Sequence, residues 1–188
     1  MTNAIHILNA SVLAAVDLMT IVRPVTDVFG HPAELEPASL NVAMAYDNTR
    51  RQYNSTALLA QILKRRGTSG GKSITVVDVD LYIPVLTFVF GEAQFSGEAA
   101  IVSTHRLRNQ FYGMPRNDGL LVGRLSKEII HELGHTFGLY HCRQFECVMR
   151  SSTYVEEIDL KHAVPCPACQ DMIRKQNNTQ EYLTGKNP

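Results

Sequence analysis

The sequence lacks an excess of charge of either sign, since 18 lysine and arginine residues balance 18 aspartate and glutamate residues among 188. Nucleic acids and anionic membranes attract clustered positive charge, so we expect neither as a partner. The chain also lacks an apolar run near the roughly 20 residues that a membrane-spanning helix needs. Its first residues, MTNAIHILNASVLAAV, show neither the charged segment nor the cleavage site of a secretory signal. We therefore expect a cytoplasmic protein, which we take to be a monomer.

Cysteine is missing from the first 141 residues, and all four cysteines of the chain lie within the 28 residues that follow. Two of them have four residues between them and the other two have two, and both spacings suit a tetrahedral metal site. The alternatives are two disulfides, which need an oxidising compartment, and four buried thiols, which need no paired spacing. Clustering in an intracellular chain favours a metal. The predicted ligands of a structural zinc are Cys142, Cys147, Cys166 and Cys169.

Hydrophobic periodicity predicts an α/β (α+β) fold, in which helices pack on a mixed twisted sheet. We take residues 1–188 as a single domain. Its N-terminal α/β part is 1–138, and 139–188 forms a small C-terminal lobe that carries the cysteines. A loop is expected over 23–39 and a loose tail over 177–188. The predicted strands are Ala4–Leu8, Leu40–Tyr46, Ser73–Asp80, Leu86–Phe90 and Ala99–Ser103, and the predicted helices are Ser11–Val22, Ser55–Arg66, Gly119–Phe137, Val155–Ala163 and Pro167–Lys175.

The longest predicted helix contains HELGH, which matches the pattern H-E-x-x-H. Residues four apart on a helix stand one turn above each other, so His131 and His135 can bind one metal ion. On a helical wheel both histidines lie opposite the apolar face, where a cleft can form. Glu132 lies at the flank of the histidine face, which suits a carboxylate that contacts water without binding the metal. The predicted apolar face consists of Leu125, Ile129, Ile130, Leu133 and Phe137.

Gly138 and His141 extend this motif to H-E-x-x-H-x-x-G-x-x-H, the metzincin pattern. A straight helix would carry His141 away from the metal, whereas Gly138 can adopt the positive φ that ends a helix. Three histidines leave a fourth position open, as catalytic zinc sites do. The sequence therefore predicts a catalytic zinc held by His131, His135 and His141. Glu132 is the predicted general base.

The segment HELGHTFGLYHCRQFECVM, followed by CPAC, resembles the archaemetzincins, which add a cysteine zinc site to the metzincin motif. Similar stretches upstream are YDNTRRQYNSTALL, DVDLY, FVFGEAQF and STHRLRNQFYG. The resemblance covers roughly residues 40–170 and implies one compact α/β domain, split by an active-site cleft, with two zinc ions. It makes Met149 the candidate for the methionine beneath the histidines; a core methionine is the alternative. Sixteen residues separate Met149 from Cys166, about one fewer than the family leads us to expect.

The resulting hypothesis is a zinc metallopeptidase with two zinc ions and a peptide or protein substrate, an aminopeptidase or an endopeptidase. The alternatives are a zinc-stabilised peptide-binding module without turnover and a zinc amidase acting on a non-peptide substrate. We expect Ala99–Ser103 to be the edge strand that pairs with an extended substrate. The group that stabilises the transition state is left open; Tyr154, Arg124 and His105 are candidates, and the favoured alternative is that each is an ordinary surface or packing residue. Glu128 either orients a histidine or is a solvated charge.

Overall fold

The structure, a computed structural model, describes residues 4–66 and 70–183. Within these ranges no helix is long and apolar enough to cross a membrane. Three short 3-10 turns lie at Val42–Ala45, His105–Leu107 and Asn109–Tyr112. The strands are β1 (Ile5–Asn9), β2 (Ala33–Pro37), β3 (Tyr46–Asp47), β4 (Gln52–Asn54), β5 (Lys72–Val77), β6 (Leu81–Tyr82), β7 (Gly91–Ala93) and β8 (Ala99–Ser103), and the helices are α1 (Ala15–Phe29), α2 (Ser55–Arg66), α3 (Asp118–Thr136), α4 (Val155–Asp159) and α5 (Pro167–Leu183).

Five strands form one sheet in the order β2-β1-β5-β8-β7, in which every neighbouring pair is parallel except β7 with β8. Successive side chains of a strand point to opposite faces, so each face has its own apolar core. Ile5 and Ile7 of β1 join the core under α1 and α3. Val77 and Ile101 join a second core under α2. The three layers confirm the predicted mixed α/β fold.

Helix α3 lies across β5, β7 and β8 and begins at Asn117, whose side chain accepts a hydrogen bond from the Leu120 N–H. This cap satisfies one of the free N–H groups of the first turn. The predicted apolar face of the helix is confirmed, because its residues are buried in the core under α1 and α3. Its buried members are Leu125, Ile129, Ile130, Leu133 and, just beyond the helix, Phe137.

Helix α1 is longer than predicted, because it passes through Pro24 instead of ending at Val22. Proline removes one hydrogen bond of the helix, and local signals therefore favour a helix end there. The predicted loop 23–39 is wrong as well, since it contains the second half of α1 and all of β2. Burial of side chains on both sides of Pro24 offsets the missing bond. These side chains are Ile21, Val25, Val28 and Phe29.

Two predicted strands are wrong. Leu40–Tyr46 contains a 3-10 turn, and Leu86–Phe90 makes only an isolated bridge between Val89 and Leu81. Leu40 and Val89 are apolar because they pack against the core under α2, and packing of this kind requires no strand pairing.

The tail predicted over 177–188 is also partly helical, since α5 continues to Leu183. The Asn177 side chain anchors it by donating to the Phe29 carbonyl at 2.8 Å and bonding His31 Nε2 at 3.0 Å. Residues 184–188 lie outside the described ranges.

The expectation that Ala99–Ser103 forms the sheet edge is wrong. This strand, β8, is paired with β5 on one side and with β7 on the other, and all five of its residues are buried. A strand covered on both faces has no polar alternation, so its sequence cannot show which neighbours it has. The edge strands of this sheet are β2 and β7, and β7 lies beside α3.

Candidate active site

Three histidines converge at the C-terminal end of α3. His131 and His135 project from successive turns, and their Nε2 atoms are 3.1 Å apart. Gly138, at φ 82°, reverses the chain after the helix and returns His141 to the other two. The ring centroid of His141 lies 5.2 Å from that of His131 and 4.9 Å from that of His135. One ring nitrogen of each histidine lies within 4.8 Å of those of the others, so the motif brings all three residues together.

The hydrogen bonds of the two helical histidines fix which nitrogen carries the proton. Nδ1 of His131 bonds the Val148 carbonyl at 2.8 Å, and Nδ1 of His135 bonds the Leu139 carbonyl at 2.7 Å. A carbonyl only accepts, so each neutral ring donates from Nδ1 and presents a lone pair on Nε2. Burial lowers the pKa of all three histidines, most strongly that of His131, and so favours the neutral ligand form.

This arrangement fits a zinc ion. The two Nε2 atoms are only 3.1 Å apart, and their lone pairs repel each other unless a cation lies between them. Nitrogen ligands of tetrahedral zinc lie about 2.0–2.1 Å from the ion, and hence about 3.3 Å from each other. The separation of the His131 and His135 Nε2 atoms is close to that value.

Met149 lies against the helical turn that carries the histidines. It is fully buried, and a Cβ built on Gly134 would overlap its sulfur and lie 2.8 Å from its Cε. Its carbonyl accepts the Cys142 N–H at 2.9 Å, which joins Met149 to the residue after His141. Met149 therefore belongs to the apolar core and also contacts the histidine-bearing turn.

Glu132 is buried beneath the edge strand β7. A Cβ on Gly91 would lie 2.7 Å from Cγ of Glu132, so the glycine allows the carboxyl side chain to pass directly under the strand. Burial, followed by the negative charges of Glu128 and Glu92, raises the pKa of Glu132 well above its usual range. A carboxyl group in such surroundings is suited to accepting a proton.

Glu128 is buried one turn before Glu132, so its interpretation as a solvated charge is wrong. Its partner is Lys161, whose Nζ lies 3.4 Å from Oε1 of Glu128. The same Nζ donates to the carbonyls of Val148 and Arg150, at 3.4 Å and 2.7 Å. Both members of this ion pair are only 3% exposed. Neither the burial of Glu128 nor the contacts of Lys161 follow from a sequence pattern.

A cleft of about 440 Å³ lies over the histidines. Its lining includes β7 together with the segment 86–90 and, from farther along the chain, residues 151–153. Ser152 belongs to this lining, and its Oγ is buried with no hydrogen-bond partner among the described residues. Sequence reasoning missed Ser152, because a serine in a loop has no periodicity that could point to a role.

The three candidates for stabilising the transition state lie outside the lining of this cleft. Arg124 is buried and makes two hydrogen bonds with the Asp159 carboxylate, at 2.8 Å and 2.7 Å. The ring of His105 packs against Phe111. Tyr154 is exposed at the start of α4. Their positions indicate structural roles for Arg124 and His105 and leave Tyr154 on the surface.

The four cysteines also lie together, and all four Sγ atoms are within 4.8 Å of one another. Sγ of Cys142 is 3.8 Å from that of Cys166, and Sγ of Cys147 is 3.9 Å from that of Cys169. A disulfide requires about 2.05 Å, whereas sulfur ligands about 2.3 Å from a tetrahedral zinc lie about 3.8 Å apart. The Cys166 N–H also points to Sγ of Cys147 at 3.2 Å, as it would to a thiolate. The group fits zinc.

Comparison with known proteins identifies the family. Peptidase family M54 matches residues 23–175. Archaemetzincin from Thermococcus kodakarensis is 46% identical over 129 residues, 67% of this chain and 68% of that protein. Archaemetzincin from Methanocaldococcus jannaschii is 42% identical over 158 residues, 84% of each.

Two solved structures are similar at a TM-score of 0.82 each. A zinc-dependent peptidase from Methanocorpusculum labreanum is 29% identical, with 90% of this chain and 99% of that chain covered. Archaemetzincin from Methanopyrus kandleri is 28% identical, with 94% and 96% covered. The chain therefore belongs to peptidase family M54, the archaemetzincins, and is a zinc metallopeptidase.

Proposed function

We propose that the chain hydrolyses peptide bonds in the cleft over its three histidines, with Glu132 as general base and one zinc ion held by His131, His135 and His141. The observation that carries this proposal is that the Nε2 atoms of His131 and His135 lie 3.1 Å apart in a cleft that the buried Glu132 also lines. When bound, zinc supplies a Lewis acid that polarises a scissile carbonyl and makes water more acidic.

The protein's own groups account for the proton transfers. Glu132 takes a proton from the attacking water and delivers it to the amine that leaves. Its side chain passes under Gly91, and this close packing limits the positions that its carboxyl group can adopt. The role of general base thus rests on the position of Glu132 beside the histidines and on the family motif.

Strand β7 is proposed to bind the substrate in place of Ala99–Ser103. It is one of the two edge strands of the five-stranded sheet and lines the cleft, so an extended peptide can add to it as a further strand. Ser152 also lines the cleft and has a hydroxyl group without a partner in the described parts of the chain. We propose that this hydroxyl group, which is buried in the structure, turns toward the cleft when a substrate is present and bonds the substrate backbone.

The second zinc is proposed to be structural, which gives two zinc ions per chain. A site closed by four cysteines leaves no open position for a substrate. It would join the loop that carries His141 and Met149 to the start of α5, and so order the lobe 139–188 within a single domain. Zinc binding requires reduced thiols, which supports a cytoplasmic location.

The test of the proposed function is cleavage of a peptide library by the zinc-loaded protein, with the termini free in one arm and blocked in the other. Cleavage of blocked peptides would identify an endopeptidase, and cleavage limited to peptides with a free amino end would identify an aminopeptidase. A zinc-loaded protein that binds peptides but cleaves none would support the binding module. Hydrolysis limited to non-peptide amides would support the amidase.

A further inference from the structure

We infer that Lys161 is a positioning residue for the three-histidine site and acts through the backbone of residues 148–150. The inference rests on the proposed metal site and concerns how the chain keeps that site in shape. Lys161 lies just after α4, far along the chain from the motif.

The ammonium group of Lys161 has a complete set of acceptors. A lysine ammonium carries three hydrogens, and Nζ of Lys161 lies within bonding distance of the Arg150 carbonyl, the Val148 carbonyl and the Glu128 carboxylate. Burying a charge is costly unless it is paired and hydrogen-bonded. The shortest of these contacts, 2.7 Å, goes to a backbone carbonyl and not to the carboxylate. Holding the backbone is therefore a main part of what this lysine does.

The two carbonyls connect Lys161 to the histidine site. The Val148 carbonyl that Lys161 bonds is the same oxygen that bonds Nδ1 of His131 and sets the orientation of its ring. Between the two carbonyls lies Met149, which packs under the histidine-bearing turn. Groups that bond the far nitrogen of a ligating histidine typically change metal affinity about 10- to 100-fold when removed. Lys161 stands one hydrogen bond beyond such a group.

Lys127 offers a matched control. It lies on α3 and donates to the carbonyls of Ile158 and Asp159, at 3.0 Å and 3.1 Å, at the end of α4. It thus holds the end of α4 through two backbone carbonyls, the same kind of contact that Lys161 makes with Val148 and Arg150. None of the hydrogen bonds of Lys127 among the described residues reaches the backbone of 148–150.

A second variant separates positioning from charge balance. Lys161→Met alone leaves the buried Glu128 without its partner, which by itself can destabilise the protein. In the double variant Glu128→Gln with Lys161→Met, no buried charge is left unpaired, but the two carbonyls still lack their donor. If Lys161 serves only to balance Glu128, the double variant regains the wild-type affinity.

The experiment measures cobalt affinity by competition with a chelator, and the visible absorption of Co²⁺ at the histidine site. Thiolate bands report the cysteine site separately. Lys161→Met and the double variant are expected to bind Co²⁺ at the histidine site up to about 10-fold more weakly, the lower end of the range for a group that bonds the ligand directly, with a changed spectrum and unchanged thiolate bands. Lys127→Met should bind as the wild type does.

Wild-type affinity and spectrum in Lys161→Met, or their recovery in the double variant, would overturn the inference. If Lys161→Met fails to fold, the double variant alone decides. A wild-type protein that binds no Co²⁺ outside the cysteine site would instead contradict the proposed function.

Discussion

Met149 packs directly against Gly134, and its thioether occupies the space that any side chain at position 134 would need. Gly134 is the residue just before His135 in the motif, so the methionine contacts the helix at the turn that carries the two histidines. The backbone of Gly134 is helical, since it lies in α3 and is not among the glycines with positive φ. Close packing, and not backbone conformation, is therefore what requires glycine here.

We predict that Gly134→Ala destabilises the protein, because an added methyl group would displace Met149. Overpacking a buried site costs about 1–3 kcal/mol in the free energy of unfolding. Gly123→Ala on the same helix is the control, since a Cβ there meets nothing within 4 Å. It should stabilise the helix by about 0.5–1 kcal/mol. Urea unfolding of both variants checks this, and equal stabilisation by the two alanines would show that the contact has no energetic weight.

We predict two zinc ions per chain, of which Cys169→Ser removes one. The variant should also hold its remaining zinc more weakly, because Cys142 directly follows His141 and bonds the Met149 carbonyl. Metal analysis after dialysis, followed by chelator competition, measures both effects. A zinc content near one per chain in the wild type would contradict one of the two proposed sites. Two zinc ions per chain in Cys169→Ser would contradict the cysteine site.

Lys72 predicts a specific pH dependence of stability. Its Nζ donates to the carbonyls of Gly97 and Thr136, the latter at the end of α3. Burial, opposed by the charge of Glu98, lowers the pKa of Lys72 from 10.5 to about 8. Between these two values the unfolded chain holds a proton that the folded chain does not, so this residue makes the free energy of unfolding rise with pH.

The comparison that isolates this contribution is Lys72→Met against the wild type, in urea unfolding from about pH 8 to about pH 10.5. Tyrosines and cysteines titrate in both proteins, so the difference between the two curves reports Lys72. The wild type should gain stability relative to the variant as the pH rises. Parallel curves would show that Lys72 is not desolvated in the folded protein.

We predict that Ser152→Ala weakens substrate binding without lowering the stability of the protein. The hydroxyl group has no partner in the described structure, so its removal leaves no other group unsatisfied. One lost hydrogen bond to substrate, worth about 0.5–1.5 kcal/mol, should raise KM about 2- to 10-fold. Peptide kinetics measure the change in substrate binding, and thermal unfolding measures the stability of the variant. An unchanged KM would mean that the Ser152 hydroxyl group does not bond the substrate.

The sequence was informative where local geometry decides the outcome. The geometry of an α-helix places His131 one turn before His135 on the same face. A glycine such as Gly138 ends a helix in a predictable way. The boundaries of α2 and β8 also follow from local pattern. The end of α1 does not, because burial of its second half outweighs the local effect of Pro24.

What the sequence could not show depends on long-range contacts. Strand order is set by pairing between distant segments, so nothing in the three residues of β7 identifies it as the edge beside α3. Ser152 lies in a loop, and Lys161 lies in the part of the predicted helix Val155–Ala163 that is not helical in the structure. Their contacts are made with segments that are distant in the sequence, so no local pattern indicates them. Glu128 looks like any charged residue of a helix until Lys161 is seen to reach it.

Glu132 is proposed to transfer protons at the zinc site without serving as a ligand of the metal. The most direct measurement compares the wild type with Glu132→Gln, a variant that keeps the shape under Gly91 but cannot take a proton, for zinc content and for hydrolysis of a library peptide. The account predicts unchanged zinc and a fall in kcat of about 10²- to 10⁴-fold. A zinc-loaded Glu132→Gln variant that cleaves the peptide at the wild-type rate would contradict it.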